Sequence, residues 1–579
     1  MNLRDELLLS HKSGNFLQKV GACSQTDSEA FSILVSELVA LNNEGLIDIV
    51  GEFELLKNEP SSVRNFFHTR RVFEKALPEV ETPLPSVMRC VLKLYTEAGH
   101  DILAHTIFDG FIEFCKKNES RPREALAEIE KNPDDLADLL TATLFAGFCC
   151  EPSSFLNEAI RLCKSDNIEL RKRAVFALGK FALPDDNALS EIVLVALECS
   201  VIEETADHIL ASILTSAFSI LLQQKAGEQR VLKIIETALS KGDESTLHAA
   251  SQAFWINNDK LTNEILDLLL VYLMRIKPSN KNSMDNLDLG ILNMLKSGNM
   301  EKGVRLVEDL LLSHSEELTM EVFDSAAREI LSNKVLLNKI LTRWFLRGDR
   351  VLCNSVCKIV ELHHGDDLPL EVNPEELNLE DLRQIYFVAR KAVGYLFTNP
   401  ITVASILISL MRTTTDKEMV TELGRLLYDP LLINYTGALR AYLIKQSEQE
   451  SGEVQAVIND ALAAIESYLN DLRSVGDLAA LHPGEMQREA NNRHNALAMT
   501  ELWKAVVAKS VCLNLFPTSV LLYGRKMIDY VHGINGEIQR METPLNHFTT
   551  EIENPRMEYL DPYGLDYMLL IFRAERLNV

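Results

Sequence analysis

Asn167-Ile168-Glu169-Leu170-Arg171-Lys172-Arg173-Ala174-Val175-Phe176-Ala177-Leu178-Gly179 is the stretch on which the fold turns. Leu170, Ala174, Ala177 and Leu178, with Phe181 beyond them, recur at the offsets of one stripe of a 3.6-period helix. Asp166 and Glu169 have the three-residue offset of a capping box, in which each side chain satisfies a backbone donor at a helix start. Arg171, Lys172 and Arg173 fall mostly off the stripe, where they read as a contact between neighbouring repeats or as a solvated face. Pro184 lacks an amide donor and disfavours helix just before it, so it predicts the helix limit. A second helix is predicted behind it, with Leu189, Ile192, Val193 and Ala196 on one face.

The same grammar returns downstream. Leu210, Ile213, Leu214, Ala217, Phe218 and Leu221 form one stripe, and Val231, Ile234, Ala238 and Leu239 form its partner. Leu247, Ala250 and Phe254 are then followed by Ile265, Leu268, Leu269, Tyr272 and Ile276. Aligning Ala177-Leu178, Ala217-Phe218 and Ala253-Phe254 gives steps of 40 and 36 residues. Such steps fall in the range of roughly 34 to 47 residues of helical repeats. The stretch from Asn167 to Gly179 resembles the second helix of a HEAT (armadillo-like) repeat, where small Ala and Gly positions permit close helix packing. The resemblance is clear over about residues 151–277. It implies a mainly α fold, a solenoid of stacked helix pairs with a surface suited to extended partners.

Composition agrees with a folded helical chain. Of 579 residues, 47% are hydrophobic and only 18 are proline. So long a chain normally divides into several cores, a limit that solenoids avoid because each repeat packs only on its neighbours. The most apolar run, Ile265 to Met274, contains Asp267 and is too short to span a bilayer. The start, Met-Asn-Leu-Arg-Asp-Glu, lacks the apolar core of a signal peptide, so a soluble, cytoplasmic protein without membrane partners is expected. Ten cysteines, at 23, 90, 115, 149, 150, 163, 199, 353, 357 and 512, read as reduced core residues.

The formal net charge is −26. Residues 484–579 hold 12 acidic and 10 basic side chains, leaving 72 acidic against 48 basic before them. The helical part therefore repels nucleic acid and attracts protein partners, basic ones above all.

Polar and Pro/Gly breaks divide the chain into an N-terminal helical region (1–150), HEAT-like repeats (151–364), a further helical region (365–483) and a C-terminal cap (484–579). In the cap a long helix is expected over Glu485 to Cys512, followed by strands Lys526 to His532 and Glu537 to Glu542. The turn Gly533-Ile534-Asn535-Gly536 joins them into a β-hairpin, His547 to Glu553 alternates like a third strand, and the chain closes with a helix near Tyr563 to Arg576. The cap thus reads as a small α+β element, either shielding the last repeat or docking a partner.

Chemistry is sparse. Cys353 and Cys357 share a helix face and precede His363 and His364, but C-x3-C-x5-H-H matches no common zinc site, and buried cysteines before a polar loop account for it better. Arg525, Lys526, Arg540, Arg573 and Arg576 are interleaved with tyrosines in the cap and form a candidate partner-binding set, for phosphates or bases. Acids such as Asp529, Glu542 and Asp566 dilute them. No nucleotide loop, metalloprotease helix or nucleophile elbow is present, so no cofactor is expected. The sequence reads as a non-catalytic interaction scaffold or adaptor. Its alternatives are a helical subunit of a nucleic-acid-processing or host-defence complex that touches nucleic acid through the cap, and an enzyme with its site in the cap.

Overall fold

A computed structural model describes residues 2–24, 28–58, 63–99, 101, 103–183, 187–223, 228–363, 368–476, 484–490, 492–493, 496–497, 500, 504, 526–532, 538–544 and 553–577. The fold is mainly α, 80% helical. It divides into two compact units, Met1–Ser332 and Asn333–Val579.

The first unit is an α-solenoid. One layer runs through the helices Ile107–Lys116, Leu140–Cys150, Ile168–Leu178, Asp207–Gln223, Glu244–Asn257, Lys281–Lys296 and Asp324–Ser332, each packed on the next. The intervening helices, among them Asn187–Glu203, Glu228–Lys241 and Asn263–Leu273, form the second layer. The three stretches aligned at steps of 40 and 36 residues all belong to the first layer and occupy equivalent places in it. Their stripes make the core: Leu170, Ala174, Ala177, Leu178 and Phe181 are buried, as are Leu210, Ile213, Ala217 and Phe218.

Local chemistry sets the helix limits. Asn167, not Asp166, caps the Ile168–Leu178 helix, its Oδ1 accepting from the Glu169 and Leu170 amides at 3.0 and 3.1 Å. That helix ends at Leu178, ahead of Pro184, with Gly179 as its C-cap donating to the Ala177 carbonyl. A Cβ at Gly179 would lie 2.5 Å from the Ser216 Cα, so only glycine lets the backbones approach this closely. The second-layer face at Asn187–Glu203 differs from the sequence expectation. Val193, Leu194, Leu197 and Val201 are buried, whereas Ile192 is 44% exposed. The helix is apolar nearly all round, so its pattern does not single out a core face.

Neighbouring repeats also interlock through polar groups. Arg171 pairs with Glu204 at 3.0 Å and Arg173 pairs with Asp138, so the basic triplet contacts repeats on both sides. Lys241 donates to the Val201 and Ile202 carbonyls at 2.9 and 2.6 Å. Arg275 repeats the arrangement on Leu239 and Gly242 at 2.9 and 3.0 Å. Asp207 accepts from the amides of Asp243, Ser245 and Thr246, and Asp288 from those of Ser325 and Ala326. A carboxylate in one repeat thus caps the helix of the next.

The second unit is layered in the same way. Lys334–Arg347, Leu382–Leu396, Lys417–Leu426 and Gly452–Val475 succeed one another, with Pro400–Thr413 and Ala438–Gln449 in the other layer. Its C-terminal part corrects the expected α+β cap. The described strands, Lys526–His532 and Ile538–Pro544, pair with each other and with no third strand. The closing helix expected near Tyr563 to Arg576 is present as Pro562–Ala574, and it packs against Leu382–Leu396. Glu553, expected at the end of a third strand, lies outside any strand. Its carboxylate accepts from the Gly437 and Ala438 amides at 2.7 and 3.2 Å and so caps the Ala438–Gln449 helix. The remainder of that expected strand, the joining turn and most of the helix expected over 485–512 lie outside the described residues.

Candidate functional site

Six first-layer helices of the first unit line an open groove of about 1050 Å³. Its apolar floor comes from side chains that leave the core stripes. Phe108 and Ile112 stand one turn apart on Ile107–Lys116, Phe145 projects from Leu140–Cys150, and Phe176 from Ile168–Leu178; all four are half-buried. Farther along, the lining turns polar through Ser212, Thr215, His248 and Gln252. The Ser212 and Thr215 hydroxyls donate back to the His208 and Ala211 carbonyls at 3.2 and 2.9 Å, leaving their lone pairs as acceptors.

The groove carries both signs of charge. Lys172, Arg173 and Lys180 face Asp109, Asp138 and Glu244. Arg173 pairs with Asp138 and Glu244 with Lys277, the latter at 2.9 Å. The Lys180 ammonium sits 5.2 Å from the Phe176 ring centre. Arg173 Nε is shut from solvent without an acceptor. Burial lowers the His248 pKa, and its Nδ1 lies 3.0 Å from the Ser283 Oγ, so the ring is neutral at pH 7. The chain's acidic excess is thus not concentrated here.

The residues singled out from sequence fall elsewhere. Cys353 is buried, and Cys357 donates from Sγ to the Tyr395 carbonyl at 2.9 Å. Burial pushes both thiols up to about 12, which keeps them protonated. His363 follows the helix end and His364 lies outside the described residues. Among the described residues no three His, Cys, Asp or Glu side chains form a metal-holding group. The cysteine expectation holds for Cys90, Cys115, Cys163 and Cys353, which are buried, but Cys149 and Cys199 are exposed. Of the arginine set, Arg525 lies outside the described residues, Lys526 opens the first strand, and Arg540 stands opposite Tyr530 in the ladder. Arg573 and Arg576 come together in a second cavity, of about 750 Å³, with Arg347 and Arg350, which the sequence reading did not select.

Phe108, Ile112 and Phe145 were also missed in the sequence. Their signal is an apolar side chain standing off a core stripe, as Phe176 does within the opening stretch.

No helix among the described residues is long and apolar enough to cross a membrane. No protein-family model matches the chain, and no curated protein matches it. Among solved structures it is similar to a chain from the structure of the Pds5-Scc1 complex, with 12% identity, 89% of this chain and 87% of that one covered, and a TM-score of 0.29. It is also similar to an engineered protein, at 12% identity, 80% and 99% coverage and a TM-score of 0.18. A circular tandem repeat protein gives 14% identity, 82% and 97% coverage and a TM-score of 0.15. The α-solenoid stands on the packing of the chain's own helices.

Proposed function

We propose that this chain is a HEAT-like interaction scaffold that holds an amphipathic helical segment of a partner protein in the first-unit groove. The carrying observation is the row Phe108, Ile112, Phe145 and Phe176, half-buried side chains contributed by three successive helices of one layer. A row of this kind matches the i, i+3, i+4, i+7 anchors of a helix laid in a groove. The polar far end supplies acceptors for the partner's other face, and a lining of three carboxylates against three cations disfavours a bare phosphate backbone. The chain's charge of −26 steers segments with basic flanks toward it. No step of this reading calls on catalysis or a cofactor.

The test places a photo-crosslinking residue at position 176 and recovers adducts from native cells. A defined partner segment, lost in the Phe108→Glu/Phe145→Glu variant of unchanged melting temperature, is the expected result. Equal recovery of the same adducts with that variant would sink the proposal.

A further inference from the structure

The cavity of the second unit lies where the chain's C-terminal segment meets the start of the Arg350–Glu361 helix. Arg347, Arg350, Arg573 and Arg576 line it, against Asp349 and Glu575. Each acid has an arginine partner: Asp349 accepts from Arg347 Nε within the cavity at 2.9 Å, and Glu575 Oε1 accepts from Arg390 at 2.9 Å, while Glu575 Oε2 is buried without a partner among the described residues. Arg350, Arg573 and Arg576 therefore have no carboxylate partner among the described residues. Arg573 is oriented by its Nε donating to the Gly394 carbonyl, which leaves its terminal nitrogens available.

Two further features point to an anion. Asp349 makes no capping bond to the Arg350–Glu361 helix, so the first-turn amides and the positive end of the dipole lack a side-chain acceptor. Tyr395 lines the cavity, is only 9% exposed, and its hydroxyl has no hydrogen-bond partner among the described residues. Burial pushes the Tyr395 pKa up to about 12, which keeps that hydroxyl a donor. The competing negative end of the Pro562–Ala574 helix is already neutralised, since the Lys391 ammonium donates to the Arg573 and Glu575 carbonyls at 2.6 and 2.7 Å.

We infer that this cavity binds a phosphate monoester dianion through Arg350, Arg573 and Arg576, with Tyr395 donating to a phosphate oxygen. Planar guanidinium forks converging with a hydroxyl suit a tetrahedral dianion better than a singly charged phosphodiester. The site is independent of the first-unit groove, and either reading can fail without the other.

The test titrates the full chain by calorimetry, with a short phosphoserine peptide in one arm and inorganic phosphate in the other. Saturable binding is expected in at least one arm; tighter peptide binding assigns the source to a phosphorylated protein, and equal binding assigns it to free phosphate. Arg350→Gln/Arg576→Gln should weaken binding by about a hundredfold, roughly tenfold per charge-assisted contact. Tyr395→Phe should weaken it by about three- to tenfold. Arg350→Lys should recover part of the loss, and Arg305→Gln, at an exposed arginine of the first unit, should change nothing. Unchanged affinity in the double variant, no saturable binding in either arm, or equal competition by a single-stranded oligonucleotide would overturn the inference.

Discussion

Lys391→Met isolates what holds the C-terminal helix. Lys391 has no solvent exposure, and its ammonium supplies the donors for two carbonyls at the end of Pro562–Ala574. Methionine keeps the apolar stem and removes both donors. Each stranded carbonyl costs about 1–3 kcal/mol. Part of that is offset because an ammonium no longer has to be desolvated, so the net loss is about 2–4 kcal/mol. The loss falls on docking of the helix, which also buries Leu565, Leu569 and Phe572. It corresponds to a roughly 30- to 700-fold rise in the undocked population. Hydrogen exchange read by mass spectrometry checks it: amides of residues 563–574 should lose protection by that factor, while those of Asp207–Gln223 should not change. Protection of 563–574 within about threefold of wild type would refute the clamp.

Four other outcomes are expected. Gly179→Ala drives a Cβ into the Ser216 backbone and should cost about 1–3 kcal/mol of first-unit stability in denaturant melts, with Gly298→Ala, where a Cβ meets nothing, as the mild control. Asp207→Asn weakens an inter-repeat cap and should cost about 0.5–2 kcal/mol. Burial acts to raise the Asp207 pKa, but hydrogen bonds from Thr246 and three amides outweigh it and hold the group below the usual range. Its contribution is therefore present above the unfolded value near 3.9 and is lost as pH falls through the folded value; below about pH 4, wild type should lose more stability than the variant. Arg70→Ala strands Glu74, its partner at 2.9 Å, and should cost about 3–5 kcal/mol by thermal melt.

Legibility followed how narrowly each pattern was constrained. The first-layer helices were readable because each carries one clear apolar stripe: Ala177-Leu178, Ala217-Phe218 and Ala253-Phe254 recur at near-regular steps and are all buried. The face of Asn187–Glu203 was not, since a helix apolar on most sides leaves burial to its neighbours. Asn167 displaced Asp166 as the cap by one residue, a margin that spacing does not resolve. The C-terminal segment was legible in its closing helix near Tyr563 to Arg576 but not in where that helix docks. Its tight-turn dipeptide is a local signal, whereas its docking rests on Lys391 and Gly394, about 180 residues upstream. The arginine cavity shares that property, because Arg347 and Arg350 meet Arg573 and Arg576 only through tertiary packing.

The caps from Asp207 and Asp288 run one way, each carboxylate serving a helix that begins about 36 residues later in the chain. A growing polypeptide therefore presents the acceptor before the amides that need it have been made. Each completed repeat becomes a template edge for its successor, so first-unit assembly has a built-in direction that matches the order of synthesis.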